Sequence, residues 1–179
     1  MSYRPEFEAA LRLLARASDA MVALGFERPV LVGGGAVELY SQSAINTGDF
    51  DLVTERQAEL EDILQALGFV RPSGPGVATR GWIHPGLALG FEIVSSTLLD
   101  GLADRDRVLL IDVDDDGVAA ILSVEDMIAD RMGQFASGTA PEMREQASRL
   151  LTLHSDCDRA YLDRRIREET GSDYGLDAL

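Results

Sequence analysis

The chain has 179 residues, 46% of them apolar, and a formal net charge of −15. That length and apolar share suit a globular fold with a sizeable core, and no apolar run reaches the roughly 18 residues a membrane helix needs. All 16 basic residues are Arg, against 31 acidic ones, which excludes a broadly basic face for a long nucleic acid and suits a basic protein partner better.

The opening residues 1–6 carry no signal-peptide pattern, and the single Cys157 allows no internal disulfide, so a cytoplasmic setting is expected. Phe7, Ala10, Leu11, Leu14, Ala17, Met21 and Leu24 recur at three- and four-residue spacing, which predicts an amphipathic helix over 5–24. Pro5 suits its first turn and Gly25 its end. A buried strand over 30–32 leads to a helix over 36–43, a strand over 50–53 and a helix over 55–67 closed by Gly68. A short strand at 69–71 and a Pro- and Gly-rich loop at 72–76 follow. Residues 77–83 and 87–95 form a predicted hairpin turned at His84-Pro85-Gly86, and 108–113 pairs with 118–121 around Asp114-Asp115-Asp116-Gly117. Ser123-Val124-Glu125-Asp126 has the pattern of a helix N-cap, and helices at 141–153 and 158–169 complete the chain. The organisation expected is an α/β core over 1–122, a helical segment over 123–170 packed on it, and a flexible tail over 171–179.

Gly33-Gly34-Gly35, placed between an apolar strand and a helix, can bring backbone N–H groups and a helix N-terminus up to a phosphate. The same run fits a dinucleotide-binding turn or a purely structural one, although Glu38 stands where the third glycine of the dinucleotide fingerprint belongs. Asp49-Phe50-Asp51 sets two carboxylates on one face of a strand, about 7 Å apart. They are either the solvated face of an edge strand or a pair neutralised by a cation, for which oxygen ligands suit Mg²⁺. Glu92 lies in the apolar run 87–94, where a buried carboxylate has to be protonated, paired or metal-bound, and Arg80 across the hairpin is its candidate partner.

Arg80, Trp82 and His84 alternate along one strand and so share a face. Bordering a cleft, Arg80 would meet a triphosphate and Trp82 would stack on a base; otherwise Trp82 is core and His84 caps the turn. Arg131 reads as a solvated surface charge, because no carboxylate stands three or four residues from it. Residues 112–117 resemble a calcium loop, but Ser123 occupies the place of the bidentate Glu such a loop requires, so a turn is expected. His84, His154 and Cys157 are too scattered for a zinc site.

Taken together, these parts resemble the signature of the DNA polymerase beta nucleotidyltransferase superfamily. Val32 precedes Gly34-Gly35, residues 36–48 form the spacer, Asp49-Phe50-Asp51-Leu52 supplies acid–apolar–acid–apolar, and Glu92 stands as the third carboxylate. The resemblance covers residues 30–95. It implies an α+β fold, a mixed β-sheet flanked by helices with a C-terminal helical segment. It also implies Mg²⁺-dependent transfer of a nucleoside monophosphate from an NTP to a hydroxyl of an RNA, protein or small-molecule acceptor. On that resemblance Asp49, Asp51 and Glu92 are catalytic and hold two Mg²⁺ ions, while Gly34, Gly35 and Arg80 bind the nucleotide. Small relatives serve in bacterial toxin–antitoxin systems, so a tRNA or protein acceptor and a cognate toxin or antitoxin partner are implied. The alternative is a catalytically silent domain of the same fold that binds a protein partner, which the acidic charge suits. Two departures stand out. Gly35 replaces the family's frequent Ser, and with no lysine in the chain only Arg can neutralise a triphosphate.

Overall fold

The apolar run before the three glycines forms β1 (Val30–Val32), and all three of its residues are buried. The structure is a computed structural model and describes residues 3–72, 81–87 and 89–179. Two compact units are distinguished, one of Met1–Thr97 with Val108–Ile121, the other of Leu98–Arg107 with Leu122–Leu179.

In the first unit, β1 joins β2 (Asp49–Val53), β3 (Trp82–Ile83), β4 (Gly90–Ser95), β5 (Leu109–Asp112) and β6 (Val118–Ile121). Among the described residues these make a six-stranded sheet in the order β3-β4-β2-β1-β6-β5. The pairs β1–β6 and β2–β4 are parallel, and β1–β2, β3–β4 and β5–β6 are antiparallel. The sheet is therefore mixed and carries helices, the α+β class expected. One face presents Leu31, Phe50, Leu52 and Phe91, all shielded from solvent. Helix α1 (Pro5–Ala23) buries Phe7, Ala10, Leu11, Leu14, Ala17 and Met21 as its spacing predicted, whereas Leu24, the last residue of that pattern, caps the helix end and is exposed. Phe7 meets Phe50 at 5.2 Å between ring centroids, and Phe50 stacks on Phe91 at 5.2 Å. Each such buried ring contributes about 1.5–3 kcal/mol.

Several element boundaries differ from expectation. Helix α2 (Gly33–Tyr40) starts at the first glycine, and α3 (Gln57–Ala66) is shorter than the pattern suggested. The strand expected at 69–71 reduces to a single antiparallel bridge between Val70 and Ile83. Residues 73–80, and with them most of the first hairpin strand, lie outside the described residues.

The second unit contains α4 (Val124–Ala136), α5 (Met143–Leu153) and α6 (Arg159–Glu169). Ser123 caps α4 by accepting from Asp126 N, and Asp158 caps α6 by accepting from Tyr161 N. Residues 98–107 join this unit through side chains that no linear split at 122 includes. Arg107 pairs with Asp158 at 2.9 Å and lies 3.9 Å from the Tyr161 ring centroid.

Residues 171–179, expected as a loose tail, are tied down: Leu176 N donates to Asp163 at 2.8 Å, and Arg144 donates twice to Ala178 O. Arg131 is buried rather than solvated, and Asp130 pairs with it at 3.1 Å. The helical-spacing rule passed over this partner because it is the adjacent residue, which the long guanidinium stem reaches by folding back. No helix among the described residues is long and apolar enough to cross a membrane.

Candidate functional site

Strand pairing sets the carboxylates. In the parallel β2–β4 register Asp49 stands beside Gly90 and Asp51 beside Glu92. Alternation then places Asp49, Asp51 and Glu92 on one face, opposite the Phe50–Phe91 core. Asp49 is exposed, and Asp51 and Glu92 are half-buried. Glu92 is therefore not the deeply buried carboxylate that its apolar neighbours suggested. Among the described residues, β3 and the Val70 bridge lie beyond β4, so Glu92 sits towards one side of the sheet.

The glycine run closes on this face. Val32 pairs with Asp51 across β1–β2, so the chain enters α2 directly beside that carboxylate. Gly33 has φ +59°, and a Cβ there would overlap Asp51 Oδ2. A Cβ on Gly34 would lie 2.5 Å from Thr47 Oγ1, and one on Gly35 would lie 2.8 Å from Leu31 Cδ1. All three glycines are thus close-approach positions. The first turn of α2 holds neither acidic nor basic side chains, and its N–H groups lack intrahelical acceptors, an arrangement that favours a bound anion.

The loop from α2 to β2 leads into Asp49 and is anchored on Glu38, which is fully buried. Glu38 Oε1 accepts from Arg4 Nε at 2.6 Å and Ser43 Oγ at 2.9 Å; Oε2 accepts from Arg4 Nη2 at 2.9 Å and Thr47 N at 2.6 Å. Thr47 Oγ1 donates in turn to Asp49 O at 2.9 Å. Gln42 and Ser43 adopt φ of 54° and 58°, a costly conformation for residues with a Cβ. Ser43 is held there by its own N–H donating to Glu38 O at 2.9 Å. Burial alone would push the Glu38 carboxyl up, but the bonds from Arg4, Thr47 and Ser43 outweigh it and hold it below the usual carboxylate range.

A cavity of about 240 Å³ opens beside Asp49 and Glu92, on the side of β3 and β4. Three carboxylates are hard oxygen donors, the chemistry a divalent ion such as Mg²⁺ prefers. Among the described residues, however, no three His, Cys, Asp or Glu side chains are already gathered to hold a metal ion. The donor set fits by type and by shared face, and its side chains would have to converge on the ion.

Comparison of the whole chain with solved structures finds the same architecture. An antigenic nucleotidyltransferase-like protein from Paracoccidioides brasiliensis superposes with a TM-score of 0.62 at 13% identity, covering 96% of this chain and 90% of its own. The antibiotic-resistance factor ANT(2'')-Ia superposes with a TM-score of 0.54 at 15% identity, covering 89% of this chain and 90% of its own. The fold is nucleotidyltransferase-like. No family model matches the sequence, and no curated protein sequence matches it.

Within this nucleotidyltransferase-like fold, Asp49, Asp51 and Glu92 come to one face, and Gly34 and Gly35 open the helix beside them. Arg80 lies outside the described residues. Trp82 is buried, and His84 Nδ1 accepts from Gly86 N at 3.0 Å, so these two are a core residue and a turn cap. Sequence reasoning missed Arg4 and Glu38. Glu38 was weighed only against a missing glycine, and its position on the apolar side of a short helix was the available signal of a paired buried charge.

Proposed function

We propose that the chain is a nucleotidyltransferase, moving a nucleoside monophosphate from an NTP to an acceptor hydroxyl. The observation that carries this is the Asp51 carboxylate lying against Gly33, where a left-handed glycine opens α2. That contact puts a metal-type carboxylate and a phosphate-type helix start within one side chain of each other. Asp49, Asp51 and Glu92 would hold Mg²⁺, which supplies charge neutralisation at the phosphates. The N–H groups of Gly34 and Gly35 would bind phosphate oxygens, and Arg80 is a candidate to meet the triphosphate. Glu92 would accept the proton of the attacking hydroxyl. Through Thr47, the loop anchored on Glu38 is tied to the main chain of Asp49 at the start of β2.

A second reading is a silent domain of the same fold that binds a protein partner, such as the cognate member of a toxin–antitoxin pair. The net charge of −15 favours it. Label transfer from α-phosphate-labelled NTPs with Mg²⁺, to tRNA, total protein and small hydroxyl compounds, separates the two. Label that vanishes in Asp51→Asn supports transfer. No label together with no Mg²⁺-dependent NTP binding leaves the partner-binding domain.

A further inference from the structure

Among the described residues, Gly81 and Gly90 bring glycine rather than a side chain to the carboxylate face beside β3 and β4. Ile83 pairs with Gly90, and Gly90 pairs in turn with Asp49. Alternation puts Gly81, Ile83, Gly90, Asp49 and Glu92 on that one face, while Trp82 and Phe91 stay buried. A Cβ on Gly81 would lie 2.9 Å from Phe91 O, and one on Gly90 would lie 3.3 Å from Trp82 O. Among the described residues, the two glycines set a strip of main chain rather than side chains between the carboxylates and the exposed Ile83. The cavity of about 240 Å³ lies over this strip, with Leu87 and Leu89 also lining it.

We propose that this cavity is the acceptor subsite and takes a small ring alcohol or phenol, uncharged or cationic. The proposal rests on the nucleotidyl-transfer reading. Size sets the first limit, because a cavity of roughly 150 Å³ already holds a benzene ring and drug-sized ligands need roughly 300 Å³ or more. A single ring with a short chain fits this volume. The lining sets the second limit. Glycine main chain and apolar side chains receive a flat ring, and Asp49 and Glu92 repel an anion.

Topology sets the role. Across the strand order β3-β4-β2-β1, the cavity lies at β3–β4, the carboxylates on β4 and β2, and the glycine turn after β1. A triphosphate held at the glycine turn and a hydroxyl held in the cavity would approach the carboxylates from opposite sides, as in-line displacement requires. The acceptor oxygen forms a bond to the α-phosphorus as the bond from that phosphorus to the β-bridging oxygen breaks. Pyrophosphate leaves with the electron pair, and the hydroxyl proton passes to Glu92.

The test is a metal-free NMR titration of the whole chain, following the amide signals of Gly48, Gly81 and Gly90. The probes are tyramine, 2-phenylethanol and 4-hydroxyphenylacetate. Tyramine is expected to shift these three signals saturably and to bind at least about tenfold tighter than 4-hydroxyphenylacetate. Gly90→Val, which fills the strip, and Ile83→Phe, which fills it from an exposed position, are each expected to abolish the shifts. Calorimetry with ATP, GTP, CTP and UTP and Mg²⁺ runs alongside. NTP binding without any probe binding overturns the subsite and leaves the transfer reading standing. Probe binding without NTP binding overturns the acceptor role together with that reading. Equal binding of the anionic probe, or tRNA shifting the same three signals, overturns the ligand class.

Discussion

Arg4 and Glu38 form a two-pronged ion pair, Nε to Oε1 at 2.6 Å and Nη2 to Oε2 at 2.9 Å, and the same guanidinium reaches Thr47 O at 2.5 Å. One residue before the first helix thereby holds the loop that delivers Asp49. Removing Arg4 leaves a fully buried carboxylate without its cation, which typically costs about 3–5 kcal/mol. Arg4 is about a quarter exposed, so about 2–3 kcal/mol is expected for Arg4→Ala in urea unfolding. Arg4→Lys keeps the charge without the fork and should fall between the two. If the loop positions Asp49, turnover drops in Arg4→Ala by more than NTP affinity does.

Acid should expose the same pair. The Glu38 carboxyl is held below its usual range in the folded protein. Its contribution is therefore complete above the ordinary carboxylate pKa and disappears as pH falls through the depressed folded value. Thermal melts between pH 7 and pH 2 are expected to lose stability more steeply in the wild type than in Glu38→Gln on the acid limb. Parallel curves would remove Glu38 from the acid response.

Gly33 and Gly25 offer a matched pair of substitutions. Both have φ in the left-handed region, +59° and +83°, but a Cβ on Gly25 meets nothing within 4 Å while one on Gly33 meets the Asp51 carboxylate. Alanine at either position carries the backbone strain, about 1–2 kcal/mol. Only Gly33→Ala is expected to displace Asp51 and so to abolish NTP-dependent activity as well. Equal activity in the two variants would separate the glycine turn from the site.

Most of what the sequence makes legible here depends on periodicity and close local pattern. The face of α1, the pairing of β5 with β6 and the Ser123 cap follow from spacing alone. The carboxylate face is legible for the same reason, since i and i+2 on β2 share a side whatever the sheet does. Glu92 joining Asp51 depends on a parallel register between strands some 40 residues apart, which only the family pattern suggested. Arg4–Glu38, Arg107–Tyr161 and the docked C-terminus are pairings between distant segments. No local spacing encodes them. Arg131 was misjudged because burial of a helix face is decided by its neighbours rather than by its own composition.

Metal dependence can be read without any acceptor. If Asp49, Asp51 and Glu92 take Mg²⁺, the ion binds the folded chain and raises its melting temperature with concentration, reaching about 2.7 kcal/mol at a hundred times the Kd. Asp49→Asn and Asp51→Asn are each expected to remove most of that gain. Each should also raise the metal-free melting temperature slightly, by relieving repulsion between like charges on one strand face. A Mg²⁺-induced shift that survives in both variants places the ion elsewhere.

Arg165 tests the second unit by itself. Its side chain is fully buried and donates to Asp126 at 2.7 Å, Glu168 at 2.7 Å and Glu169 at 2.5 Å. Asp126 is equally buried and also accepts from Tyr161 Oη and Ser123 Oγ. Burial would lower the Arg165 pKa, yet these carboxylate bonds hold it above the ordinary guanidinium value. Arg165→Met strands Asp126 among α4 and α6 and is expected to cost about 3–5 kcal/mol in chemical denaturation. Asp126→Asn keeps the Tyr161 and Ser123 bonds and should cost less. In the double variant no buried carboxylate at 126 remains without its cation, so the two losses should fall short of adding, with a coupling of about 1–3 kcal/mol. Strict additivity would mean that Glu168 and Glu169, rather than Asp126, carry the hold on Arg165.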